Sequence, residues 1–197
     1  MSKADTAFEL FDEYNKQDPR TFEWEGTSYP QEYFFAIALY NWVLKLNPEA
    51  SEELLLASRC QHIGRWEIPR DSYPEGREPY LKWRKDLALH HAGVAAGLMQ
   101  QAGYTLEVIE RVSQILLKKR IKVDADVQTM ENALCLVFLE FQYEDFRKKY
   151  AREPDKMVNI LYKSLLKMDA HGHGFALGLS YTPGGLELVQ QALAKMA

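Results

Sequence analysis

The sequence predicts an all-α fold, a single-domain helical bundle of about eight helices. Three observations predict it: apolar residues recur with helical spacing, cap and stop residues flank the periodic segments, and strand signals are nearly absent. No period-two alternation persists, and no Asn-Gly or Asp-Gly hairpin turn occurs. A chain of 197 residues can bury a real core without disulfides or metals, so we expect one domain over residues 1–197.

Start and stop residues place the first four helices. Pro19 ends the first helix, and Pro30 opens the second, which is apolar almost all round and is therefore expected at the centre of the bundle. Ser51 caps the third helix, Gly64 stops it, and Gly103 stops the fourth. The predicted helices so far are 4–17, 30–46, 52–63 and 80–102. The segments 21–29 and 66–79 are predicted to be loops.

The second half of the chain has weaker boundaries. Asp124 or Asp126 caps the sixth helix, and Pro154 opens the seventh. Asp169 is a good N-cap for a turn into a short helix, which we favour over a metal motif for the sequence DAHGHG. The predicted helices of this half are 106–118, one from the cap to about 150, 154–168 and 185–195.

Composition excludes several classes of protein. The apolar fraction is 47%, the charged fraction is 26% and the net charge is −4, which argues against a disordered chain and against a duplex nucleic-acid binder. No apolar run reaches the roughly 20 residues of a membrane span, and no signal-peptide hydrophobic region begins the sequence. We therefore expect a cytoplasmic protein in which Cys60 and Cys135 are buried free thiols. The oligomeric state stays open.

Histidines and carboxylates interrupt apolar helical faces. Arg59 and His62 share a stripe of the third helix, where they either satisfy one another or face a site. Of the adjacent pair His90 and His91, we expect His91 to face inward, because small residues flank its stripe. His90 is then structural or exposed.

Acidic residues raise the same question. The sixth helix is apolar after residue 132, so Glu131 or Asn132 must project into the interior and needs a basic or metallic partner. Glu32 begins the buried second helix, where the helix dipole alone is a sufficient reason for an acid.

Five arginines lie between residues 59 and 84, within or beside the long loop. They are Arg59, Arg65, Arg70, Arg77 and Arg84. Arginine suits bidentate recognition of phosphate or carboxylate, and we assign Arg59, Arg70, Arg77 and Arg84 to anion binding. Acidic residues are interleaved with them, so a solvated or salt-bridged surface is the alternative interpretation.

Parts of the sequence resemble HD-domain phosphohydrolases. Residues 54–66, LLLASRCQHIGRW, are similar to the helix of that family which carries apolar residues followed by His-Asp-Ile-Gly-Lys. Gln61 falls on the family His and His62 on the family Asp. The segment from His90 resembles the later His-containing helix, Glu32 falls near the first His of the family, and Asn132 falls near its final Asp. The resemblance implies an HD-domain or phosphodiesterase-like fold.

The resemblance also implies a metal centre and an activity. In such enzymes a divalent metal activates water to attack a phosphate ester. Here the metal ligands would be Glu32, His62, His91 and Glu131, a set that suits Zn, Mn, Fe, Ni or Mg. Glu131, His62 and His91 would be the catalytic residues, with Gln61, His90 and Asn132 also in the pocket. The substrate would be a nucleotide or a small phosphorylated metabolite.

A more specific resemblance covers most of the chain. The block from Arg59 to Arg84 and the segment MENALCLVFLEF are similar to the domain-of-unknown-function 4202 family, which implies no activity. Three functions therefore stay open. The protein is a phosphohydrolase, or a non-catalytic protein that binds an anion, a nucleotide or a protein partner, or a bundle whose polar residues form a structural network.

Overall fold

The described part of the chain is predominantly helical, which confirms the predicted all-α fold class. The computed structural model describes residues 2–196, so residues 1 and 197 of the predicted domain lie outside the described part. Within it are ten α-helices, two 3-10 helices and one hairpin. In chain order they are α1 (Lys3–Asn15), β1 (Thr21–Trp24), β2 (Thr27–Pro30), α2 (Gln31–Leu46), α3 (Glu52–Cys60), two 3-10 turns (Arg65–Glu67 and Arg70–Ser72), α4 (Arg77–Gln101), α5 (Leu106–Leu116), α6 (Ala125–Phe141), α7 (Tyr143–Lys149), α8 (Pro154–Leu165), α9 (Ala170–Leu177) and α10 (Pro183–Ala194).

Helix α2 lies at the centre, as its apolar sequence predicts. It packs against α3 on one side and α6 on another. Leu39, Trp42 and Val43 are buried in this contact, and burial of each such side chain contributes roughly 1.5–3 kcal/mol. A cluster of buried side chains continues from α1 to α10. This large hydrophobic core therefore fixes the position of the polar residues at the N-terminal end of α2 and of the neighbouring elements.

The predicted loop 21–29 is instead a β-hairpin. Strands β1 and β2 pair antiparallel, with Trp24 opposite Thr27. The turn residues Glu25 and Gly26 both have positive φ, 48° and 77°, which is the pattern of a type I′ turn. Glu-Gly is not one of the pairs Asn-Gly and Asp-Gly that are typical of this turn. The Phe22 ring lies 4.8 Å from the Phe35 ring, so the hairpin packs on the start of α2.

Several helix ends differ from the predicted ones. Helix α3 ends at Cys60, three residues early, and the chain turns through Gly64, whose φ of 68° is the left-handed stop that was predicted. The helix predicted to reach residue 150 is broken at Gln142, where φ is −125°. The break follows from packing, because the buried Tyr143 donates a hydrogen bond of 2.9 Å to the carbonyl of Gly185 at the start of α10.

Two further sequence predictions can be compared with the structure. Cys60 and Cys135 are both buried and free, as expected. Within residues 2–196, none of the helices combines the length and the apolar character that a membrane crossing requires.

Candidate functional site

A polar cavity opens where the ends of several helices meet. It consists of two adjoining recesses of about 350 Å³ and 490 Å³. Both recesses are lined by His62, Arg65, Lys118 and Lys167. The first, recess A, is also lined by Glu32 and Glu131, and the second, recess B, by Gln61, Arg84, Lys85 and His91. Of the four residues assigned to a common metal centre, Glu32, His62 and Glu131 line recess A, and His62 and His91 line recess B.

Glu32 closes one side of recess A and is only 4% exposed. Arg20, in the segment before the hairpin, donates a hydrogen bond of 2.9 Å to its Oε1, and Arg65 Nε lies 3.9 Å from the same oxygen. Burial raises the pKa of the Glu32 carboxyl, and the two guanidinium groups oppose that rise. Asp18 accepts a hydrogen bond from the backbone N–H of Glu32, so it caps α2. Glu32 thus belongs to a cluster of paired charges.

Glu131 lies on α6 and is 2% exposed. Its partner is basic, one of the two kinds of partner that the sequence predicts: the ammonium group of Lys118 forms an ion pair with Glu131 Oε1. Lys118 stands in the loop between α5 and α6, with a φ of 55°. Two other residues of that loop, Arg120 and Lys122, also have positive φ. A left-handed conformation costs a residue with a side chain roughly 1–2 kcal/mol, so packing must hold Lys118 in place.

His91 is the inward member of the histidine pair, as predicted, with 3% exposure. Its Nδ1 lies 2.6 Å from the carbonyl oxygen of Ile63. Because a carbonyl only accepts hydrogen bonds, Nδ1 must carry a proton. Burial is the main reason that the pKa of His91 falls to about 4, and the nearby charge of Arg65 lowers it further. The imidazole is therefore neutral at neutral pH, and Nε2 is an acceptor.

His62 stands in the wall common to both recesses. It lies in the turn after α3, and its ring centre is 5.8 Å from that of His91. Burial, followed by the positive charges of Arg65 and Lys118, holds the pKa of His62 well below its ordinary value. Two neutral imidazoles thus face a cavity whose charged groups are mostly cationic.

The predicted arginines divide between the cavity and the outside. Arg59 forms an ion pair with Asp12 of α1 and lies outside the cavity. Arg70 donates to the carbonyls of Tyr73 and Pro74, so it braces its own loop. Arg77 is exposed at the start of α4. Only Arg84 of the four assigned residues lines the cavity.

Of the other three residues expected in the pocket, one lines recess B and two lie outside both recesses. Gln61 lines recess B, where its side-chain amide donates a hydrogen bond to the carbonyl of Leu116. His90 Nε2 lies 2.8 Å from Glu67 and does not line either recess. Asn132 is buried, but it bonds Asp169 at the start of α9 and is outside both recesses. Asp169 in turn caps α9, as predicted.

The metal ligand set implied by the resemblance does not fit the structure. Among residues 2–196, no three His, Cys, Asp or Glu side chains are grouped so that they could hold a metal ion. The carboxylates of Glu32 and Glu131 are instead paired with Arg20 and Lys118. Glu32, His62, His91 and Glu131 surround a cavity without forming a metal centre.

The sequence did not identify Lys118 and Lys167 as site residues. Lys118 belongs to the charged run KKRIK after α5, and Lys167 follows the end of α8. A charged run at the end of a helix is typical of a solvated surface, so neither position carried a signal. The sequence indicates that Glu131 needs a basic or metallic partner, but it does not identify Lys118 as that partner.

Comparison with known proteins identifies the family. A family model described as Domain of unknown function (DUF4202) matches residues 5–189. The chain belongs to the DUF4202 family. Searches of curated proteins and of solved structures gave no match. The matched range contains every residue of the cavity, so the cavity lies within the DUF4202 domain.

Proposed function

We propose that this DUF4202 protein binds a small phosphorylated metabolite in the cavity, with Arg65, Lys118 and Lys167 holding the phosphate. The observation that carries the proposal is that these three cations line both recesses at once. Guanidinium and ammonium groups are the side chains that bind phosphate oxygens best, by charge-assisted hydrogen bonds.

The charge of the cavity supports an anionic ligand. Five cationic side chains and two carboxylates line the two recesses, which gives a net charge of +3, whereas the whole chain has a net charge of −4. The two carboxylates are already paired within the protein. A concave site of one sign attracts ligands of the other sign, and the low dielectric of its walls strengthens that attraction.

Arg65 is the residue on which the phosphate site depends most. Its guanidinium lies between Glu32 in recess A and the Trp83 ring, 5.7 Å away at recess B. These contacts fix its position, while the 3.9 Å separation from Glu32 leaves its N–H groups able to bind an anion. A preordered guanidinium loses less freedom when the ligand binds.

Calorimetric titration with a phosphate monoester, p-nitrophenyl phosphate, tests the proposal. Arg65→Gln should weaken binding at least about tenfold, the loss expected for one charge-assisted hydrogen bond. The matched control is Arg77→Gln, which removes the same charge from an exposed position outside the cavity and should leave the affinity unchanged. Equal affinities of the two variants, or no binding to the wild type, would refute phosphate binding in this cavity.

Hydrolysis of the bound ester is a second candidate function, and the position of His62 favours it. A neutral imidazole beside a phosphate group accepts a proton from water as the water oxygen bonds to phosphorus. With p-nitrophenyl phosphate, the P–O ester bond breaks and nitrophenolate leaves without needing a proton. Release of nitrophenolate by the wild type that is lost in His62→Asn and kept in His171→Asn would support this step. No release above the buffer rate would refute it.

A further inference from the structure

Recess B contains two buried acceptor atoms without a hydrogen-bond partner in residues 2–196. They are His91 Nε2 and Gln61 Oε1. His91 is 3% exposed and Gln61 is 4% exposed, and both side chains line recess B. A buried acceptor without a donor costs roughly 1–3 kcal/mol, so two of them in one recess require an explanation.

A change of the His91 tautomer, or a flip of the Gln61 amide, would place a donor at these positions but would break an existing hydrogen bond. The Nδ1–H of His91 is committed to the Ile63 carbonyl, which leaves a lone pair on Nε2. The amide nitrogen of Gln61 is committed to the Leu116 carbonyl, 3.3 Å away, which leaves the amide oxygen as the unbonded atom of the side chain. If the amide were reversed, its oxygen would face the Leu116 carbonyl oxygen. Both unbonded acceptors therefore belong to side chains that line recess B.

We infer that recess B binds the hydroxyl-bearing part of a phosphate ester, with ligand hydroxyls donating to His91 Nε2 and Gln61 Oε1. This inference rests on the proposed phosphate site and adds the class of ligand. The cations of the common wall, Arg65, Lys118 and Lys167, would hold the phosphate, and the two acceptors would select for hydroxyls beside it. The shared chemistry fits a sugar phosphate and also the ribose of a nucleotide.

A phosphate dianion alone would not satisfy these acceptors. A monoester is fully ionised at pH 8, since its second pKa is roughly 6, and it then carries only acceptor oxygens. A ligand without hydroxyls leaves His91 Nε2 and Gln61 Oε1 either unbonded or bonded to trapped water. The hydroxylated ligand therefore gains bonds that the plain ester cannot make, and a site with buried polar groups rejects the analogue that leaves them unpaired.

Calorimetry at pH 8 with four ligands tests the inference on the wild-type protein. The ligands are ethyl phosphate, ribose 5-phosphate, adenosine 5′-monophosphate and ribose. We expect ribose 5-phosphate to bind at least about tenfold more tightly than ethyl phosphate, a factor that one net hydrogen bond supplies. A further gain with the nucleotide would identify the ribose of a nucleotide as the source, and no gain would identify a sugar phosphate. Either supports the inference.

Two results would overturn it. If ethyl phosphate binds as tightly as ribose 5-phosphate, the hydroxyl subsite is wrong and the phosphate site stands. If none of the phosphate esters binds, the inference and the proposed function fail together.

A variant tests the assignment to His91. His91→Asn keeps a side-chain amide N–H for the Ile63 carbonyl but removes the Nε2 acceptor, so it should lower the preference for ribose 5-phosphate over ethyl phosphate. His171→Asn makes the same change on α9, outside both recesses, and should keep the preference. Gln61→Leu is the second variant, and circular dichroism verifies folding. A preference unchanged in both cavity variants would refute the inference.

Discussion

The ammonium group of Lys118 forms an ion pair with the buried carboxylate of Glu131, so a residue of the buried helix α6 holds one of the cations of the cavity. Lys118 comes from a loop and Glu131 from the centre of the bundle. Lys118 is therefore a cation that an anionic ligand in the cavity can also contact, although Glu131 already neutralises part of its charge. Because Glu131 is buried and Lys118 is partly exposed, we expect different effects when each of them is replaced.

Glu131→Gln should tighten the binding of a phosphate ester. Without the carboxylate, Lys118 keeps its full charge for the ligand, and the net charge of the cavity rises by one. We expect a gain in affinity of about threefold to tenfold, measured by calorimetry at low salt, because such an interaction is screened at high ionic strength. An affinity unchanged at low salt would show that Lys118 does not contact the ligand.

Lys118→Met should instead lower the stability of the protein. Glu131 would remain buried without a cation, and removal of one partner of a buried pair costs up to about 3 kcal/mol. Urea unfolding measures the loss. Lys119→Met, at an exposed neighbouring position, is the control and should change stability by less than about 0.5 kcal/mol. Similar losses in the two variants would contradict the importance of the pair.

Stability should fall as the pH is lowered from 7.5 to 5, and His91 should cause a measurable part of the loss. Its folded pKa of about 4 lies below the ordinary 6.5, so between these values the unfolded chain binds the proton that the folded chain refuses. The expected contribution is about 2 kcal/mol at pH 5. Glu32, whose pKa is raised, acts in the opposite direction, since its contribution to stability declines as the pH rises.

Urea unfolding of the wild type and His91→Asn over this pH range separates the contribution of His91. The variant lacks the imidazole, so its stability should depend less steeply on pH. His62 remains in both proteins, and its lowered pKa contributes equally to both curves. Parallel curves for the two proteins would mean that His91 is not kept neutral by the fold.

Gly64→Ala should destabilise the turn that carries His62 and Arg65. The φ of Gly64 is 68°, and an added Cβ would lie 2.9 Å from His90 Nε2. We expect a loss of about 1–2 kcal/mol from the left-handed backbone alone. Gly93→Ala, in the exposed face of α4 with no atom within 4 Å of the added Cβ, should stabilise by about 0.5–1 kcal/mol. Thermal unfolding that gives both variants the same sign would contradict this account of the turn.

The sequence predicted the parts of the site that depend on burial. The apolar run after residue 132 indicates that Glu131 or Asn132 projects into the interior and needs a basic or metallic partner, and the small residues beside His91 indicate that it faces inward. The predictions that depended on helical spacing were less accurate. Arg59 and His62 appeared to share a stripe, but α3 ends between them, so Arg59 turns to Asp12 while His62 enters the cavity.

The remaining site residues could not be predicted because tertiary packing places them. Lys118 and Lys167 stand outside the regular helices, where spacing gives no direction for a side chain. The hairpin was missed for a local reason, since Glu25 adopts a positive φ that is uncommon for glutamate. Both failures concern positions where the surrounding structure overrides the preference of the individual residue.

A crystal structure of the protein with ribose 5-phosphate tests the central claim most directly, because it locates the phosphate. The account predicts that the phosphate lies against Arg65, Lys118 and Lys167, with a ligand hydroxyl within 3.2 Å of His91 Nε2, roughly the limit of a good hydrogen bond. A phosphate bound instead at the outer arginines Arg70 or Arg77, with the cavity free of ligand, would contradict it.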